Sequence, residues 1–584
     1  MRYPRKCDSI ISVIHTQFWG YAMYFETRID IPDVPGKITI SRGIYVQYET
    51  GRKYNPEKKF NVPIRVTIGK LCADETGKMF PTEKYIAYFP MDDVPEFDTR
   101  PKRSCCLRLG TYLVVKKIIK EYGIDEICKK IFNKDAGLFL DLASYSIVEE
   151  RNAGQYYPDY AYGHPLFTAN HRMYSDAKVS LFLKNMTDDQ RIEFLNLWND
   201  GRDKDIQIYV TYDSTNKNCQ AGDIDLAEYG HAKEDKNYPI INYSIGYDHT
   251  NRVPLFYEEY PGSIVDVSQL DSMINKTEGY GYHNIGFILD RGYFSRGNLR
   301  HMDEKGIPFI IMAKGTVSFI QGFVKCAAGT FETDRKWWIK KYHVYGKTLK
   351  MPLLKTDEQD RYIHVYYNRM RAASEQEKFE TQIDHMEKQY NKLIGERRKT
   401  DELEKYFRFE RGKDGVIASV IPKNAVIEKE KSRMGYFVIV TSKKMSAKTA
   451  LHLYKSRDES EKLFRADKSY LGNDAFRNAS DEAIEAKSLV EFVALIIRNR
   501  IFTYFDEAIE QGVKKQNYLT VPAAIKELEK IELVRQSDGR YRLDHAVTAT
   551  QKVILNAVGI TPSTIPHKTQ KLSQELELAD KMAV

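Results

Sequence analysis

Two stretches decide the fold of this chain: residues 206–213, IQIYVTYD, and residues 285–290, IGFILD. Each is a nearly continuous apolar run that ends in an aspartate. Such runs are typical of strands that are buried on both faces or that lie at the centre of a mixed sheet. Three more runs share this texture: YPIINYSIGYD (238–248), VPLFYEEYP (253–261) and PFIIMAK (308–314). Together they predict an α/β core with a mixed sheet.

The core is predicted to resume after a long interruption. Residues 435–442, GYFVIVTS, form another strand-like run, and Ser446 can N-cap a helix over 447–468, AKTALHLYKSRDESEKLFRADK. The segment 316–435 has mixed character, with short β-like pieces, a tryptophan doublet among basic residues and a long charged helical stretch. A segment of such length inside a domain is more typical of an inserted subdomain than of a loop.

The regions on either side of the core differ from it. β-type alternation in 43–90, interrupted by the basic turn GRKYNPEKK (51–59), predicts a small antiparallel sheet, and apolar spacings of three and four in 101–200 predict helices. The sequence predicts six regions. Residues 1–100 are β-rich, and residues 101–202 are helical and bind DNA. The core has a first part at 203–315 and a second part at 436–510, with an insertion subdomain at 316–435 between them, and residues 511–584 are helical.

Bulk composition excludes several classes of protein. A chain of 584 residues with 42% hydrophobic content is too long for one small module and too apolar for long disorder. Its seven cysteines are scattered without a C-x-x-C pair, which indicates reduced thiols in the cytosol rather than disulfides or zinc. No apolar run has the length of a signal peptide or a membrane span, and a net charge of +8 permits a polyanionic partner.

The chemistry is predicted to lie at three acidic residues. Asp213 and Asp290 each follow a strand-like run, so both are expected at strand ends of one sheet. On the helix after GYFVIVTS, Tyr454, Arg457, Glu461 and Lys468 fall within roughly one sixth of the circumference. Three carboxylates of this kind suit two Mg²⁺ ions, with Mn²⁺ as a substitute, so Asp213, Asp290 and Glu461 are the predicted catalytic and metal-binding residues.

The remaining residues of the stripe suit DNA. Arg457 and Lys468 can bind backbone phosphates, the arginine by a planar fork and the lysine as a point charge. Tyr454 can pack on a sugar or stack on a base exposed at a DNA end.

The same residues resemble a known family. Tyr454-x2-Arg457-x3-Glu461-x6-Lys468 is similar to the Tyr-Arg-Glu-Lys signature of bacterial insertion-sequence transposases with an RNase H-like DDE core. The segments TYDSTN and ILDRGYFS resemble the sites of that family's first two aspartates. The resemblance implies an α/β fold with an RNase H-like mixed-sheet core, interrupted by an inserted β-rich and helical subdomain and preceded by β and helical regions. Asp458 and Ser460 depart from it, since the family more often has bulky apolar residues there.

The resemblance also implies a function. Metal-activated water would cut a phosphodiester at the element end, and the freed 3′ hydroxyl would attack the opposite strand to form a hairpin, which reopens before the end joins target DNA. The implied partners are double-stranded DNA with terminal inverted repeats, target DNA and a second copy of the chain as a homodimer in the synaptic complex. No membrane role is implied, and the expected location is the cytoplasm, on the nucleoid when DNA is bound. Trp337 and Trp338, among basic residues, are the predicted holders of an unpaired base.

Alternatives stay open at this point. Rival carboxylates are Asp223, Asp225, Asp248, Asp266, Asp458 and Glu459, of which Asp248 is predicted to lie in a hairpin turn. A tryptophan doublet in a β-like piece is more often packing than base capture. The chain could also be an RNase H-like nuclease that no longer transposes, or a non-catalytic DNA-binding protein on the same scaffold.

Overall fold

The computed structural model describes residues 28–89 and 103–582, except for 57, 222–223, 234, 265–269, 316, 354–356, 358 and 479. The chain divides into two compact units, one ending at Lys102 and one beginning at Arg103. Two rival carboxylates, Asp223 and Asp266, lie outside the described residues. The finer division into six regions stays a prediction.

The first unit contains a five-stranded antiparallel sheet, in the order β1-β5-β4-β3-β2. This is the small sheet predicted from the alternation in 43–90. Its buried core consists of Val46, Ile68 and Met79, since every second residue of a strand faces the same side. The elements are β1 (Ile29–Asp30), β2 (Ile38–Ser41), β3 (Tyr45–Asn55), β4 (Phe60–Leu71), β5 (Lys78–Pro81) and α1 (Glu83–Ile86).

The second unit begins with a short strand and a group of helices. Local signals set the ends of these helices. Gly123, with a φ of 68°, ends the helix Gly110–Tyr122, and Thr187 and Gln190 form a capping box at the start of the helix Asp188–Asp200. The elements are β6 (Cys106–Arg108), α2 (Gly110–Tyr122), α3 (Ile124–Phe132), α4 (Ala136–Glu149), α5 (Tyr157–Gly163), α6 (Asp176–Lys184) and α7 (Asp188–Asp200).

A ten-stranded mixed sheet follows, with helices between its strands. Ser446 N-caps one of these helices as predicted, because its side chain accepts a hydrogen bond from the Thr449 amide. The elements are β7 (Ile208–Cys219), β8 (Ile240–Asp248), β9 (Val253–Pro261), α8 (Leu270–Gly279), β10 (Ile285–Leu289), α9 (Arg296–Glu304), β11 (Phe309–Met312), α10 (Ser318–Ala327), β12 (Trp338–Ile339), β13 (Val344–Pro352), β14 (Asp360–Tyr367), α11 (Arg369–Asn391), β15 (Phe407–Arg411), β16 (Ile417–Pro422), α12 (Asn424–Lys431), β17 (Tyr436–Thr441), α13 (Ala447–Ser456), α14 (Asp458–Tyr470) and β18 (Ala475–Phe476).

The sheet has the order β12-β13-β14-β17-β11-β10-β7-β8-β9, with β18 paired to β7. Strands β7, β8 and β9 form an antiparallel meander, whereas β10 is parallel to β7 and β11 is parallel to β10. Strand β17 is antiparallel to β11. The α/β fold with a mixed sheet that the apolar runs predicted is therefore confirmed.

The segment 316–435 contributes strands to the large sheet and also forms a separate small core. Strands β12, β13 and β14 extend the large sheet beyond β17. The hairpin of β15 and β16 packs with α11 and α12 around a small core of its own, in which Phe407 and Ile417 are buried.

The chain ends with a long buried helix and a small C-terminal group. Helix α15 (Asp481–Glu510) runs through the main core, and Arg498 within it packs over the Tyr470 ring at 4.7 Å. In the part of the chain that the structure describes, no helix is long and apolar enough to cross a membrane. The last elements are α16 (Val521–Leu528), β19 (Glu532–Arg535), β20 (Tyr541–Leu543), α17 (Ala549–Ala557) and α18 (Ile565–Met582), with β6, β19 and β20 in one three-stranded sheet.

Candidate active site

Two of the predicted acids lie side by side, Asp213 on strand β7 and Asp290 directly after the parallel strand β10. In the register of β7 and β10, Ile208 pairs with Ile285 and Thr211 pairs with Ile288. Asp213 and Asp290 each come two residues after that last pair, so the register places them next to each other. The sequence predicted that these two aspartates would lie close together on one sheet, and the register places them so.

The position of Asp213 in its strand differs from the prediction. Strand β7 does not end at Asp213 but continues to Cys219, because residues 213–218 pair with β8 and the last two residues pair with β18. Asp290 does follow the end of its strand, as predicted, and its carboxylate accepts a hydrogen bond from the Arg291 amide at 2.6 Å. The error at Asp213 arose because the polar sequence after it looks like a loop, whereas strand pairing is decided by partners far along the chain.

Arg457 contacts Glu461 as well as the two sheet aspartates. Its Nη1 atom lies 3.4 Å from Oδ2 of Asp213 and 3.8 Å from Oδ2 of Asp290, and its Nη2 atom lies 2.9 Å from Oε1 of Glu461. All three predicted carboxylates therefore surround one guanidinium. Burial raises the pKa of Asp213, although the arginine charge opposes this rise. Burial alone would lower the pKa of Arg457, but the charges around it raise that pKa.

Arg457 also marks a break in the predicted helix. Helix α13 ends at Ser456 and α14 begins at Asp458, so the predicted single helix is two helices joined at Arg457, whose φ of −54° and ψ of −26° are still helical. The direction of the chain is therefore kept across Arg457. Glu461 on α14 lies on the side of the two sheet aspartates, and Arg457 contacts all three acids. The Nε atom of Arg457 is buried and has no hydrogen-bond partner among the described residues, so it is a spare donor beside the acids.

Tyr454 is buried rather than exposed to a DNA base. Its ring belongs to the core cluster between the sheet and α13, and only 5% of the residue is exposed. Its hydroxyl donates a hydrogen bond to Oδ1 of Asp290 at 3.1 Å. Burial, and then the charge of Asp290, raise the pKa of the Tyr454 hydroxyl, so it stays protonated and remains a donor. In this structure Tyr454 orients a carboxylate, and it has no free ring face on which a base could stack.

Lys468 turns towards the sheet. Its Nζ atom donates a hydrogen bond to the backbone oxygen of Asn216 at 2.8 Å, on the strand that carries Asp213. The preceding residue, Asp467, forms an ion pair with Lys217 at 2.6 Å, and both side chains are fully buried. Two adjacent residues of α14 thus attach this helix to β7, and they set the distance between Glu461 and Asp213.

Lys217 and Asp467 were missed by the sequence analysis. One signal was present, since Lys217 lies four residues after Asp213 and therefore on the same face of an extended strand. A lysine inside a strand of this kind needs a carboxylate partner if it is buried. The Nζ atom of Lys217 also lies 4.0 Å from the centroid of the Tyr243 ring, which further stabilises its charge.

The two tryptophans lie in strand β12 and the turn before it. Trp337 is approached by the Nζ atoms of Lys336 and Lys347, at 5.1 and 5.8 Å from its ring centroid. The Trp338 ring packs against the Tyr345 ring, with a distance of 4.9 Å between centroids. None of these contacts joins either tryptophan to the three acids.

Among the rival carboxylates, Asp248 lies in a turn, and Asp225 and Asp458 are exposed. Asp248 accepts hydrogen bonds from the amides of Thr250 and Asn251, which confirms the predicted hairpin turn between β8 and β9. Asp458 is exposed at the start of α14.

A cleft of about 550 Å³ opens beside Asp290. Its basic side chains are Arg291, Lys314, Arg371 and Arg433. The guanidinium of Arg371 is bound by Glu375 at 2.7 Å, so it contributes little free positive charge to the cleft. The cleft leads from the acids to the residues of α11 and α12.

Metal ligands can be judged from the donor set and the geometry. Carboxylate oxygens are the ligands that Mg²⁺ and Mn²⁺ prefer, so the three acids are chemically suited to these ions. Among the described residues, no group of three or more His, Cys, Asp or Glu side chains already stands in a metal-binding arrangement. The guanidinium of Arg457 lies among the three acids.

The second unit is therefore an α/β unit with a mixed sheet and a cluster of three acids. Two of the acids lie on or directly after neighbouring strands of the sheet, and the third comes from a helix that faces them. Residues 212–497 match the model of a family described as the transposase DDE domain. The match spans just under half of the chain, begins one residue before Asp213 and includes Asp290 and Glu461. It is consistent with the predicted RNase H-like core, and it supports a transposase as the class of the protein.

Other comparisons add little. No curated protein matches the chain significantly. Among solved structures, the piggyBac transposase synaptic complex with hairpin DNA is similar at 8% identity, over 78% of this chain and 84% of that chain, with a TM-score of 0.30. At that TM-score the likeness carries no argument about fold or function.

Proposed function

We propose that this protein is a DDE transposase of the bacterial insertion-sequence type, and that Asp213, Asp290 and Glu461 are its catalytic carboxylates. The observation that carries the proposal is the gathering of these three acids around the guanidinium of Arg457. Three carboxylates and one guanidinium leave two negative charges, which favour the binding of cations. The match of residues 212–497 to the transposase DDE domain supports the same conclusion.

The three acids would hold two Mg²⁺ ions, with Mn²⁺ as a substitute. When bound, such ions make the attacking oxygen more nucleophilic and stabilise the leaving one. The chain's own contribution is to fix the ligands. The Tyr454 hydroxyl orients Asp290, and the contacts of Lys468 and Asp467 with β7 position the helix that carries Glu461.

The first reaction is hydrolysis of one phosphodiester at the element end. The oxygen of water forms a bond to phosphorus, the bond from phosphorus to the 3′ oxygen breaks, and the products are a 3′ hydroxyl and a 5′ phosphate. The proton that water loses passes to solvent, and the 3′ oxygen takes one from solvent. Arg291 and Lys314 line the cleft through which a strand would reach Asp290, and their charges can bind phosphate oxygens there.

The later steps follow from the family resemblance. The 3′ hydroxyl would attack the opposite strand to form a hairpin, and the reopened end would join target DNA, in a complex of two chains on two element ends with terminal inverted repeats. Trp337 and Trp338 would hold the unpaired base of the hairpin, helped by the lysines around Trp337. If alanine at both tryptophans leaves hairpin formation and reopening at wild-type rates, this role is excluded.

Cleavage of an element-end duplex in Mg²⁺ tests the central proposal. We expect Asp213→Asn, Asp290→Asn and Glu461→Gln each to lower the cleavage rate by about a thousandfold or more, because each removes a charged ligand while keeping the shape of the side chain. Gel analysis of labelled strands measures this rate.

A matched control is Asp458→Asn, which removes an exposed acid three residues before Glu461. This variant should cleave at close to the wild-type rate. Equal cleavage by all five proteins would contradict the proposal, provided that circular dichroism shows the variants to be folded.

A further inference from the structure

The hairpin of β3 and β4 extends beyond the sheet of the first unit. Strand β2 pairs with β3 only over residues 45–48, and β5 pairs with β4 only over residues 69–71. The part of the hairpin from residue 51 to residue 66 is here named the ribbon. Among the described residues it pairs only within the hairpin, from Gly51–Ile64 to Asn55–Phe60, while Arg65 and Val66 pair with β3 at its base. At about 3.3 Å per residue, the paired part alone extends for more than 15 Å.

The ribbon carries an unusual density of positive charge. Its sequence, GRKYNPEKKFNVPIRV, has five basic residues and one acidic residue, a net charge of +4, whereas the whole chain has a net charge of +8. The basic side chains of the ribbon are all exposed. One of them, Arg52, is held by Glu49 at the base of the hairpin at 2.8 Å. The basic residues are Arg52, Lys53, Lys58, Lys59 and Arg65.

Large apolar side chains are exposed between these charges. Tyr54 is 58% exposed, Phe60 is 55% exposed and Ile64 is 47% exposed. In the pairing of the hairpin, Tyr54 lies opposite Asn61, whereas Phe60 lies opposite Asn55, so the two rings are on opposite faces of the ribbon. The core of the unit lies nearer the base, where Val46 and Ile68 are buried. An arm with basic residues and aromatic rings on both faces has no role in that core.

We infer that the ribbon is a DNA-binding arm that enters the major groove of a duplex. Charge complementarity is the argument for a polyanion, since lysine and arginine contacts to phosphates supply most of the affinity for DNA. Width is the argument for the groove, because a two-stranded ribbon fits the major groove, about 12 Å wide, but not the minor groove, about 6 Å wide. The inference rests on the proposed function in that its partner is DNA, and it assigns that partner a surface outside the acid cluster.

The test measures binding without catalysis. Fluorescence polarisation with a labelled random-sequence duplex of 30 base pairs, in EDTA, would compare the wild-type chain with the triple variant Lys53→Gln, Lys58→Gln and Lys59→Gln. We expect the triple variant to bind about tenfold or more weakly at 0.1 M salt. The slope of log affinity against log salt should fall in magnitude by about two to three, because each phosphate contact adds about 0.9 to it.

The matched control removes three other exposed lysines of the same unit, Lys37, Lys70 and Lys84, by the same change to glutamine. If both triple variants bind as the wild type does, or if both weaken equally, the inference is overturned. It is also overturned if the ribbon variant loses affinity for duplex RNA or for anionic vesicles but keeps its affinity for duplex DNA.

Catalysis is measured separately. Cleavage of an element-end duplex at saturating protein in Mg²⁺ should be retained by the ribbon variant, because the acid cluster is untouched. Failure of the wild type to cleave would count against the proposed function and would leave the difference in affinity intact. Normal affinity of the ribbon variant would count against the arm alone.

Discussion

At the scale of single residues, Arg457 has the central place in the candidate site. Among the described residues it is the one basic side chain that forms ion pairs with all three acids, and only 13% of it is exposed. Three carboxylates close together repel one another unless a cation neutralises them. Arg457 thus stabilises the acid cluster.

Removing this charge should make the protein depend on added metal. We expect Arg457→Gln to lower stability in EDTA by about 1 kcal/mol, a modest figure because Glu461 is more than half exposed. Millimolar Mg²⁺ should then raise the melting temperature of the variant more than that of the wild type, because the uncompensated acids bind cations more strongly. Differential scanning fluorimetry with and without Mg²⁺ measures both effects.

The comparison for this experiment is Arg477→Gln, which removes an exposed ion pair with Asp474 at 3.4 Å. Its melting temperature should respond to Mg²⁺ as the wild type does. An equal response of the Arg457 and Arg477 variants would show that the arginine does not neutralise the acids.

At the scale of elements, the attachment of α14 to β7 positions the third acid. The buried pair of Lys217 and Asp467 and the bond from Lys468 to the Asn216 oxygen lie on adjacent residues of both elements. Asp467 also accepts a hydrogen bond from the Asn473 side chain at 2.9 Å, at the end of the helix. A rigid attachment of this kind is what a catalytic constellation needs, since small misplacements of ligands cost much activity.

Breaking this pair from one side should be costly. Lys217→Met leaves the charge of Asp467 buried without its partner, and we expect a loss of about 3–5 kcal/mol in the free energy of unfolding. The double variant Lys217→Met and Asp467→Asn should recover much of that loss, because it buries no charge and keeps an acceptor for Asn473. Urea unfolding monitored by circular dichroism measures the three free energies.

If the double variant is no more stable than the single one, the pair is not the reason for the loss. The cleavage rate of the double variant provides a second readout. We expect it to follow the recovery of stability, since Glu461 itself is unchanged.

At the scale of the whole molecule, the two compact units have separate cores. Among the described residues, the core of the first unit contains Val46, Ile68 and Met79, and the main core of the second unit contains residues of the helices, the large sheet and α15. Two units with separate cores are expected to unfold in two steps.

A matched pair of substitutions tests this. Ile68→Val in the first unit and Ile496→Val in α15 each remove one methylene from a fully buried side chain, which costs about 0.5–1.5 kcal/mol. Each variant should shift one of two calorimetric transitions by a few degrees and leave the other unchanged. A single transition that both variants shift equally would contradict two separately cooperative units.

Much of the fold could be read from the sequence, because buried strands in an α/β core are continuous apolar runs and helix caps are local. Asp290 was placed correctly, since its strand ends just before it. Asp213 was placed at a strand end, but the polar residues after it continue the strand by pairing with β8 and β18. Such pairing depends on distant segments, and nothing in the local pattern encodes it.

The candidate site divides in the same way. The sequence predicted Glu461 from the spacing of Tyr454, Arg457 and Glu461 within one stretch of chain, and Asp213 and Asp290 from the apolar runs that precede them. Three features emerge from the folded chain alone: Tyr454 is buried against Asp290, Arg457 lies among all three acids, and Lys217 and Asp467 attach the helix to the sheet. Burial and ion pairing depend on side chains that folding brings together from distant positions. Helical spacing and apolar runs, in contrast, are local properties of the sequence.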